Sequence, residues 1–317
     1  MAMIASFATM AARGWGFGLT TASAPVSNAY FAGGKTTVDI TTVTKYKYAT
    51  AALSTGTALA TALDRMGGTS TSTIGYLLGG ITGGGTPQTA TVKYTFSDDT
   101  RAAGTALTIS KYWGGSASTA TIGYFGNGGT ASGTTSIQKY TYSGDTTAAG
   151  TALSSVAART NVGGYGNSTF GFFTGGADSS THYSACARYT YSGDTQASSG
   201  TINTAREGHG SSNSTTIGYS AGGTTNGSFG TTYTTVVRKL TFSSSADAAG
   251  TALGTSREQI AGTGETTMGI FCGGWNNGTT ATDIEKYVYS GDTRTATTSL
   301  GTATHSQSGV TSTPGGF

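Results

Sequence analysis

Short apolar runs and alternating aromatic segments follow one another in a fixed order along the chain. An apolar run ending in two glycines comes first, such as GFFTGG at 171–176, and a segment alternating polar and aromatic residues follows, such as RYTYSGD at 188–194. Alternation with a period of two indicates a half-buried β-strand, and a short apolar run stopped by glycine indicates a buried one. No window shows an apolar stripe with a period of 3.6 residues, so we expect negligible helix.

Both landmarks recur six times with a common spacing. The glycine pairs end at Gly34, Gly80, Gly129, Gly176, Gly223 and Gly274. The basic residues that open the aromatic segments are Lys45, Lys93, Lys139, Arg188, Lys239 and Lys286. Each series gives a period of about 48 residues, which lies in the range of propellers and solenoids.

One repeat divides into four strand candidates, at 160–167, 168–176, 184–194 and 198–203. The turns between them carry glycine pairs and SGD, residues that suit tight turns. Four antiparallel strands in each of six repeats are the pattern of a β-propeller. We therefore predict an all-β fold, a six-bladed propeller that forms a single domain over 1–317.

The two ends of the sequence overlap around the ring closure. Residues 4–10 resemble an outer strand that precedes blade 1, and residues 302–313 resemble a seventh copy of an inner strand. Arg13 and Trp15 make the N-terminal copy the better match to the repeats. One copy can close the ring, and the other is surplus. On that basis, 301–317 is either a tail or a strand exchanged with a neighbouring subunit.

Composition narrows the class of protein. Charged residues make up only 10% of the chain and glycine contributes 52 residues, but 17 Tyr and 12 Phe at regular intervals can fill a core. The net charge of +3 is too small to indicate nucleic acid as a partner. Cys186 and Cys272 fall at different places in the repeat, so we expect buried free thiols rather than a disulfide.

The sequence shows no targeting or membrane-spanning segment. Residues 1–14 lack a basic start and a long apolar run, so we expect no signal peptide. No stretch approaches the ~18 consecutive apolar residues of a membrane span. We expect no membrane insertion.

A basic residue precedes each inner strand, which gives a ring of six: Arg13, Arg65, Lys111, Arg159, Arg206 and Arg257. These cations could form an anion site at the mouth of the central channel, or they could hydrogen-bond carbonyls or an acid of an adjacent blade. We favour the structural role, because residues present in every repeat usually serve what every repeat needs. Asp99, Asp145, Asp194, Asp247 and Asp292 form a further partial ring, for which we expect a role in turns.

No catalytic constellation is visible. His182, His209 and His305 lie in different blades without metal-ligand spacing, and no GxSxG motif occurs. Glycine-rich stretches precede no helix and lack the Lys-Ser/Thr of a phosphate-binding loop. We therefore expect no catalytic residues, no metal and no cofactor.

The repeats differ most in the loops that follow the glycine pairs, which vary in length and in aromatic residues. These loops lie at 81–91, 177–185, 224–235 and 275–282. These loops share one face of the disc, and aromatic and amide side chains there suit carbohydrate or protein contacts. Ordinary loop decoration is the alternative. The candidate binding residues are Tyr183, Phe229, Tyr233, Trp275, Asn276 and Asn277.

The apolar strand with its glycine pair, followed by an aromatic strand and an outer strand, resembles the Kelch repeat over nearly the whole chain. It departs from that repeat where Kelch usually carries a Trp and this chain reads AAGTAL. The repeats also look like Kelch-type repeats of tailed-phage virion proteins.

This resemblance implies a structural or adhesive virion protein, made in the host cytoplasm. Its implied partners are other virion proteins, copies of itself, or a host-surface glycan or receptor. The alternative is a cellular or extracellular Kelch- or lectin-like binding propeller. A galactose-oxidase-like or sialidase-like enzyme ranks last, because their copper site and arginine triad find no matching motifs.

Overall fold

The computed structural model describes residues 27–129, 133–225 and 232–313. Within these ranges the chain forms six four-stranded antiparallel sheets and one two-stranded hairpin, with no helix. The N-terminal repeat copy with Arg13 and Trp15, and the candidate binding residue Phe229, lie outside the described residues. The predicted six-bladed, all-β fold is confirmed.

Each sheet is one blade, and its four strands follow one another from the channel to the outer rim. Blade 1 contains β26 (Ser308–Thr311), β1 (Asn28–Ala32), β2 (Val43–Lys47) and β3 (Ala52–Gly56). Blade 2 contains β4 (Gly67–Ser70), β5 (Ile74–Leu78), β6 (Thr91–Thr95) and β7 (Thr100–Gly104). Blade 3 contains β8 (Gly115–Ser118), β9 (Ile122–Gly126), β10 (Ile137–Thr141) and β11 (Thr146–Gly150).

The other three blades follow the same order. Blade 4 contains β12 (Gly163–Gly166), β13 (Phe170–Thr174), β14 (Ala185–Thr190) and β15 (Thr195–Thr201). Blade 5 contains β16 (Gly210–Asn213), β17 (Ile217–Ala221), β18 (Val237–Thr241) and β19 (Asp247–Gly250). Blade 6 contains β20 (Ala261–Gly264), β21 (Met268–Cys272), β24 (Ile284–Val288) and β25 (Thr293–Ala296), and its loop carries the hairpin β22 (Trp275–Asn276) and β23 (Thr279–Thr280).

The inner strands line a central channel, and the hydrophobic core lies between blades. Each inner strand contacts the inner strands of both neighbouring blades. Each blade junction holds its own cluster of buried side chains, such as Tyr124, Ile137 and Phe173 between blades 3 and 4. Aromatic rings stack across these junctions, as Tyr124 does on Tyr191 at 4.5 Å between ring centroids. The regularly spaced aromatic residues thus fill the core.

The outer strands begin earlier than the sequence indicated. In blade 4 the prediction placed the outer strand at 198–203, but β15 begins at Thr195, directly after the turn. In blades 1, 2, 3 and 5 the outer strand ends at the glycine of the GTAL segment. The leucine that follows, for example Leu153, packs in the core between blades.

The glycine pairs are required by backbone conformation and by close packing. In blade 2, Gly79 and Gly80 have φ angles of +67° and +97°. A Cβ atom on Gly79 would lie 2.2 Å from the carbonyl oxygen of Lys111, which belongs to the next blade. Only glycine fits a left-handed residue at this close approach.

The C-terminal copy of the inner strand closes the ring. β26 pairs antiparallel with β1, with Val310 opposite Tyr30, and it contacts inner strands β4 and β20 on either side. Blade 1 therefore combines one strand from the C-terminal end of the chain with three that begin at Asn28.

Cys186 and Cys272 are buried free thiols. The described ranges contain no helix long and apolar enough to cross a membrane.

Candidate functional site

The segments before the inner strands and the loops after the glycine pairs meet on one face of the disc, which we call the loop face. In five blades of the described chain, the residue three positions before the inner strand pairs through its backbone with the first residue after a glycine pair. Glu258 bridges to Trp275 in this way, and Glu207 bridges to Thr224. These backbone bridges hold both segments at the mouth of the channel.

The residue two positions before each inner strand has a left-handed backbone in all six described blades. These residues are Arg65, Trp113, Asn161, Gly208, Gln259 and Ser306, with φ between 54° and 63°. Five of them are not glycine, and left-handed non-glycine residues are uncommon. The backbone is thus constant while the side chain varies, so this position presents different chemistry from each blade. All six line a small cavity at the channel mouth.

Four members of the predicted basic ring are buried structural residues. Lys111, Arg159, Arg206 and Arg257 are 0% exposed and donate hydrogen bonds to backbone carbonyls of their own blade. For example, Arg159 Nη1 lies 3.0 Å from the oxygen of Ala185. Burial lowers the pKa of Lys111 to about 7 and that of Arg159 to about 10. These cations face blade interiors rather than the channel.

Arg65 does not occupy the same repeat position. Counted back from the inner strand, the position of Lys111 and Arg159 is taken in blade 2 by the buried Leu63. Arg65 lies two residues further along, at the left-handed position. Its guanidinium carbon stands 4.0 Å from the ring centroid of Trp113, and its Nε lies 3.3 Å from Asp64 Oδ2. Arg65 alone of the described ring members therefore reaches the channel mouth.

The turn aspartates form salt bridges with lysines of the neighbouring blade. Lys45 Nζ lies 2.9 Å from Asp99 Oδ2 in the next blade, and Lys139 Nζ lies 2.8 Å from Asp194 Oδ2. The bonded ammonium of Lys93 lowers the pKa of Asp145 to about 2. Asp247 does not belong to this set, because Ser245 takes the turn position and Asp247 pairs with Arg238 on its own blade.

Glu207 and Glu258 occupy equivalent positions in blades 5 and 6, but their partners differ. Asn161 Nδ2 donates to Glu207 Oε2 at 2.8 Å, and His182 Nε2 lies 3.2 Å from Oε1. For Glu258 the residue equivalent to Asn161 is Gly208, which has no side chain to offer. Glu258 is 1% exposed, and its Oε2 has no hydrogen-bond partner among the described residues. Burial, reinforced by the nearby Glu207, raises the pKa of Glu258 to about 8.

A cleft of about 530 Å³ opens at the loop face between blades 6 and 1. Its chemically distinctive lining residues are Lys35, Arg65, Glu258, Gln259, Trp275 and His305. The indole of Trp275 packs edge-on against the His305 ring, with 5.2 Å between centroids. Burial lowers the pKa of His305 to about 4, so the imidazole is neutral, and its Nδ1 lies 2.7 Å from Gln259 Oε1.

The predicted loop residues lie on this face but in three different blades. Tyr183 in blade 4 donates its hydroxyl to Asp178. Tyr233 in blade 5 is half-buried. In blade 6, Trp275 and Asn276 form β22, and Asn277 lies exposed at the tip of the hairpin. Of these, only Trp275 lines the cleft. Sequence reasoning missed Glu258, Gln259 and His305 as its neighbours.

No group of three or more His, Cys, Asp or Glu residues that could hold a metal ion occurs within 27–129, 133–225 and 232–313. His209 is buried beside Thr174, and its pKa falls to about 3.

Of three comparisons with known proteins, the one with solved structures agrees with the architecture. No protein-family model matches the chain, and no curated protein sequence matches it. Among solved structures, the one described as "Structure of YjhT" superposes with a TM-score of 0.69 and 11% sequence identity, over 86% of this chain and 98% of that chain. At this identity the likeness shows the fold alone. The protein is a six-bladed β-propeller.

Proposed function

We propose that this chain is a non-enzymatic binding propeller of the Kelch-like kind, a structural and adhesive component of a virus particle. The observation that carries the binding role is the contrast at the channel mouth. The backbone there is the same in every described blade, while the presented side chains run from arginine and tryptophan to glycine. A scaffold that varies only its presented residues suits recognition.

The loop face also suits carbohydrate or protein contacts. Tyr183, Tyr233 and Trp275 lie in three consecutive blades, and Asn276 and Asn277 add amides beside Trp275. Aromatic rings give large contact areas with one polar group each, a property that binding surfaces exploit. The repeat-wide cations are bound to carbonyls, so they do not contribute to this surface.

Binding to host-surface glycans is tested on a glycan array with the intact chain. The variant Tyr183→Ala/Tyr233→Ala/Trp275→Ala should lose the signal. Thr121→Ala, an exposed turn residue on the opposite face, should retain it. Equal signals from both variants would refute the loop face as the binding surface.

The virion assignment is supported by the low charge, by the Gly/Ser/Thr-rich strands and by the resemblance to tailed-phage repeats. We expect the chain in purified particles at a fixed copy number, measured by quantitative mass spectrometry. Its recovery only from cells or medium would contradict the assignment and favour a cellular or secreted Kelch- or lectin-like propeller.

A further inference from the structure

We propose that the cleft between blades 6 and 1 binds a neutral pyranose ring, stacked on Trp275 and hydrogen-bonded by Glu258. This inference rests on the proposed binding function and names the ligand class and the place. The cleft volume of about 530 Å³ admits one or two sugar rings.

The buried carboxyl of Glu258 is the first indication of a ligand. Burying a polar group without a partner is costly, so native structures rarely retain one without a reason. The equivalent Glu207 shows that the fold can supply a hydrogen-bond partner at this position. A Cβ on Gly208 would lie 3.5 Å from Glu258 Cβ, so a side chain at 208 would stand beside Glu258. A sugar hydroxyl in the cleft can be both donor and acceptor to the carboxyl.

The charges of the cleft favour a neutral ligand. Lys35 Nζ lies 3.8 Å from Asp39 Oδ1, and Arg65 is paired with Asp64. Both cations are therefore already matched by acids. The two acids offset the attraction of these cations for a phosphate or a sugar acid.

The remaining lining residues match a flat ring edged with hydroxyls. Trp275 is half-buried and offers an aromatic surface for the C–H face of a pyranose. Because the Nδ1–H of neutral His305 is directed at Gln259 Oε1, its Nε2 is the acceptor nitrogen. The cleft thus combines an aromatic surface for stacking with hydrogen-bond donors and acceptors.

The test is isothermal titration of the intact chain with methyl pyranosides, which mimic the terminal residue of a glycan, and with the corresponding free sugars. Sorbitol supplies hydroxyls without a ring, and glucuronate and inorganic phosphate supply anions. We expect saturable binding of at least one neutral pyranoside by tens of millimolar, and at least tenfold weaker binding of sorbitol and the anions. Saturable binding of only the anions, or of none of the probes, would overturn the inference.

Variants locate the site. Trp275→Ala should weaken binding at least about tenfold, whereas Trp275→Phe should stay within about threefold. Glu258→Met should abolish binding without lowering the melting temperature, because it removes an unpartnered buried group. The matched control Glu207→Met should keep binding and lower the melting temperature, since it leaves the buried Asn161 amide without its partner.

Wild-type affinity in both Trp275→Ala and Glu258→Met would overturn the inference. If the loop-face triple variant loses the glycan-array signal while these two single variants bind normally, the proposed function survives and only the cleft is wrong.

Discussion

At the scale of single residues, equivalent positions in adjacent blades act as internal controls. Glu207 and Glu258 share a backbone position and near-complete burial, yet only Glu207 accepts a side-chain hydrogen bond, from Asn161. The difference traces to one substitution in the preceding blade, Asn161 against Gly208. Burial raises the pKa of both carboxyls, to about 7 for Glu207, where the Asn161 hydrogen bond opposes the shift, and to about 8 for Glu258.

This shift predicts a pH dependence of stability. A carboxyl with a raised folded-state pKa contributes stability that is fully present below its unfolded value of about 4.5 and is lost as pH rises through about 8. We expect the melting temperature of Glu258→Gln to gain on wild type steadily between pH 5 and pH 8. Burial also raises the pKa of Glu207 to about 7 and that of Asp64 to about 6, and lowers the pKa of His209 and Lys111, but these four groups are present in both wild type and variant. A constant difference across this range would contradict the assignment.

Lys111 gives a second residue-scale prediction. Its ammonium donates to the carbonyls of Asn127 and Ser136, the latter at 2.7 Å, where three other blades use arginine. Lys111→Met leaves the Asn127 carbonyl without a donor, while the Ser136 carbonyl keeps its hydrogen bond from Asn127 N–H, and it should lower the free energy of unfolding by about 1–3 kcal/mol. Lys111→Arg should lower it by less than half as much. Chemical denaturation measures both, and equal losses would show that the contact is not what stabilises this position.

The sequence located the basic residues but not all their roles. Lys111, Arg159, Arg206 and Arg257 share a register, so their common structural role follows from the repeat. Arg65 looked equivalent because it is also basic, but it is offset by two positions, and its side chain therefore emerges at the channel mouth. The cleft could not be predicted, because Lys35, Glu258 and His305 come together only when blade 6 meets blade 1.

At the scale of strands and turns, glycine pairs and aromatic alternation made the four-strand pattern readable. The outer strand of blade 4 was placed too far along the chain because the segment around its glycine joins two environments. In blade 3, for example, the residues before Gly150 form backbone hydrogen bonds with the neighbouring strand. The leucine after that glycine, Leu153, packs in the core between blades. Small, weakly apolar residues on an exposed outer strand carry little period-two signal.

Substitutions at two glycines of blade 2 distinguish the cost of backbone strain from the cost of a steric clash. Gly79 and Gly85 have φ of +67° and +75°, but only Gly79 has atoms within 4 Å of an added Cβ. Gly85→Ala should cost about 1 kcal/mol, the penalty of a left-handed alanine. Gly79→Ala should cost at least about 3 kcal/mol, because Lys111 and the backbone around it must move. Denaturation curves that give equal costs would refute the role of close packing.

At the scale of the whole molecule, the ring is closed by a strand from the other end of the chain. The sequence contained two candidates, and residue similarity favoured the N-terminal copy. The structure places the C-terminal strand β26 against β1, with Val310 in the core between blades 1 and 2. Similarity to the repeat pattern does not decide which of the two terminal copies forms the inner strand of blade 1.

Removing residues 302–317 tests this closure. The truncation exposes the edge of β1 and one side of two core clusters, so we expect a loss of roughly 10 °C in melting temperature. Removal of 314–317 alone should change it little. Wild-type stability of the longer truncation would mean that another segment fills the place, and the copy around Arg13 would be the candidate.

The central claim is that the loop face beside the channel mouth is the binding surface. Its most direct test is a crystal structure of the chain soaked with the saccharide that binds best in titration. The account predicts electron density for a sugar ring against Trp275, within hydrogen-bond distance of Glu258. A saccharide bound at the opposite face or along the outer strands, with the cleft unchanged, would contradict it.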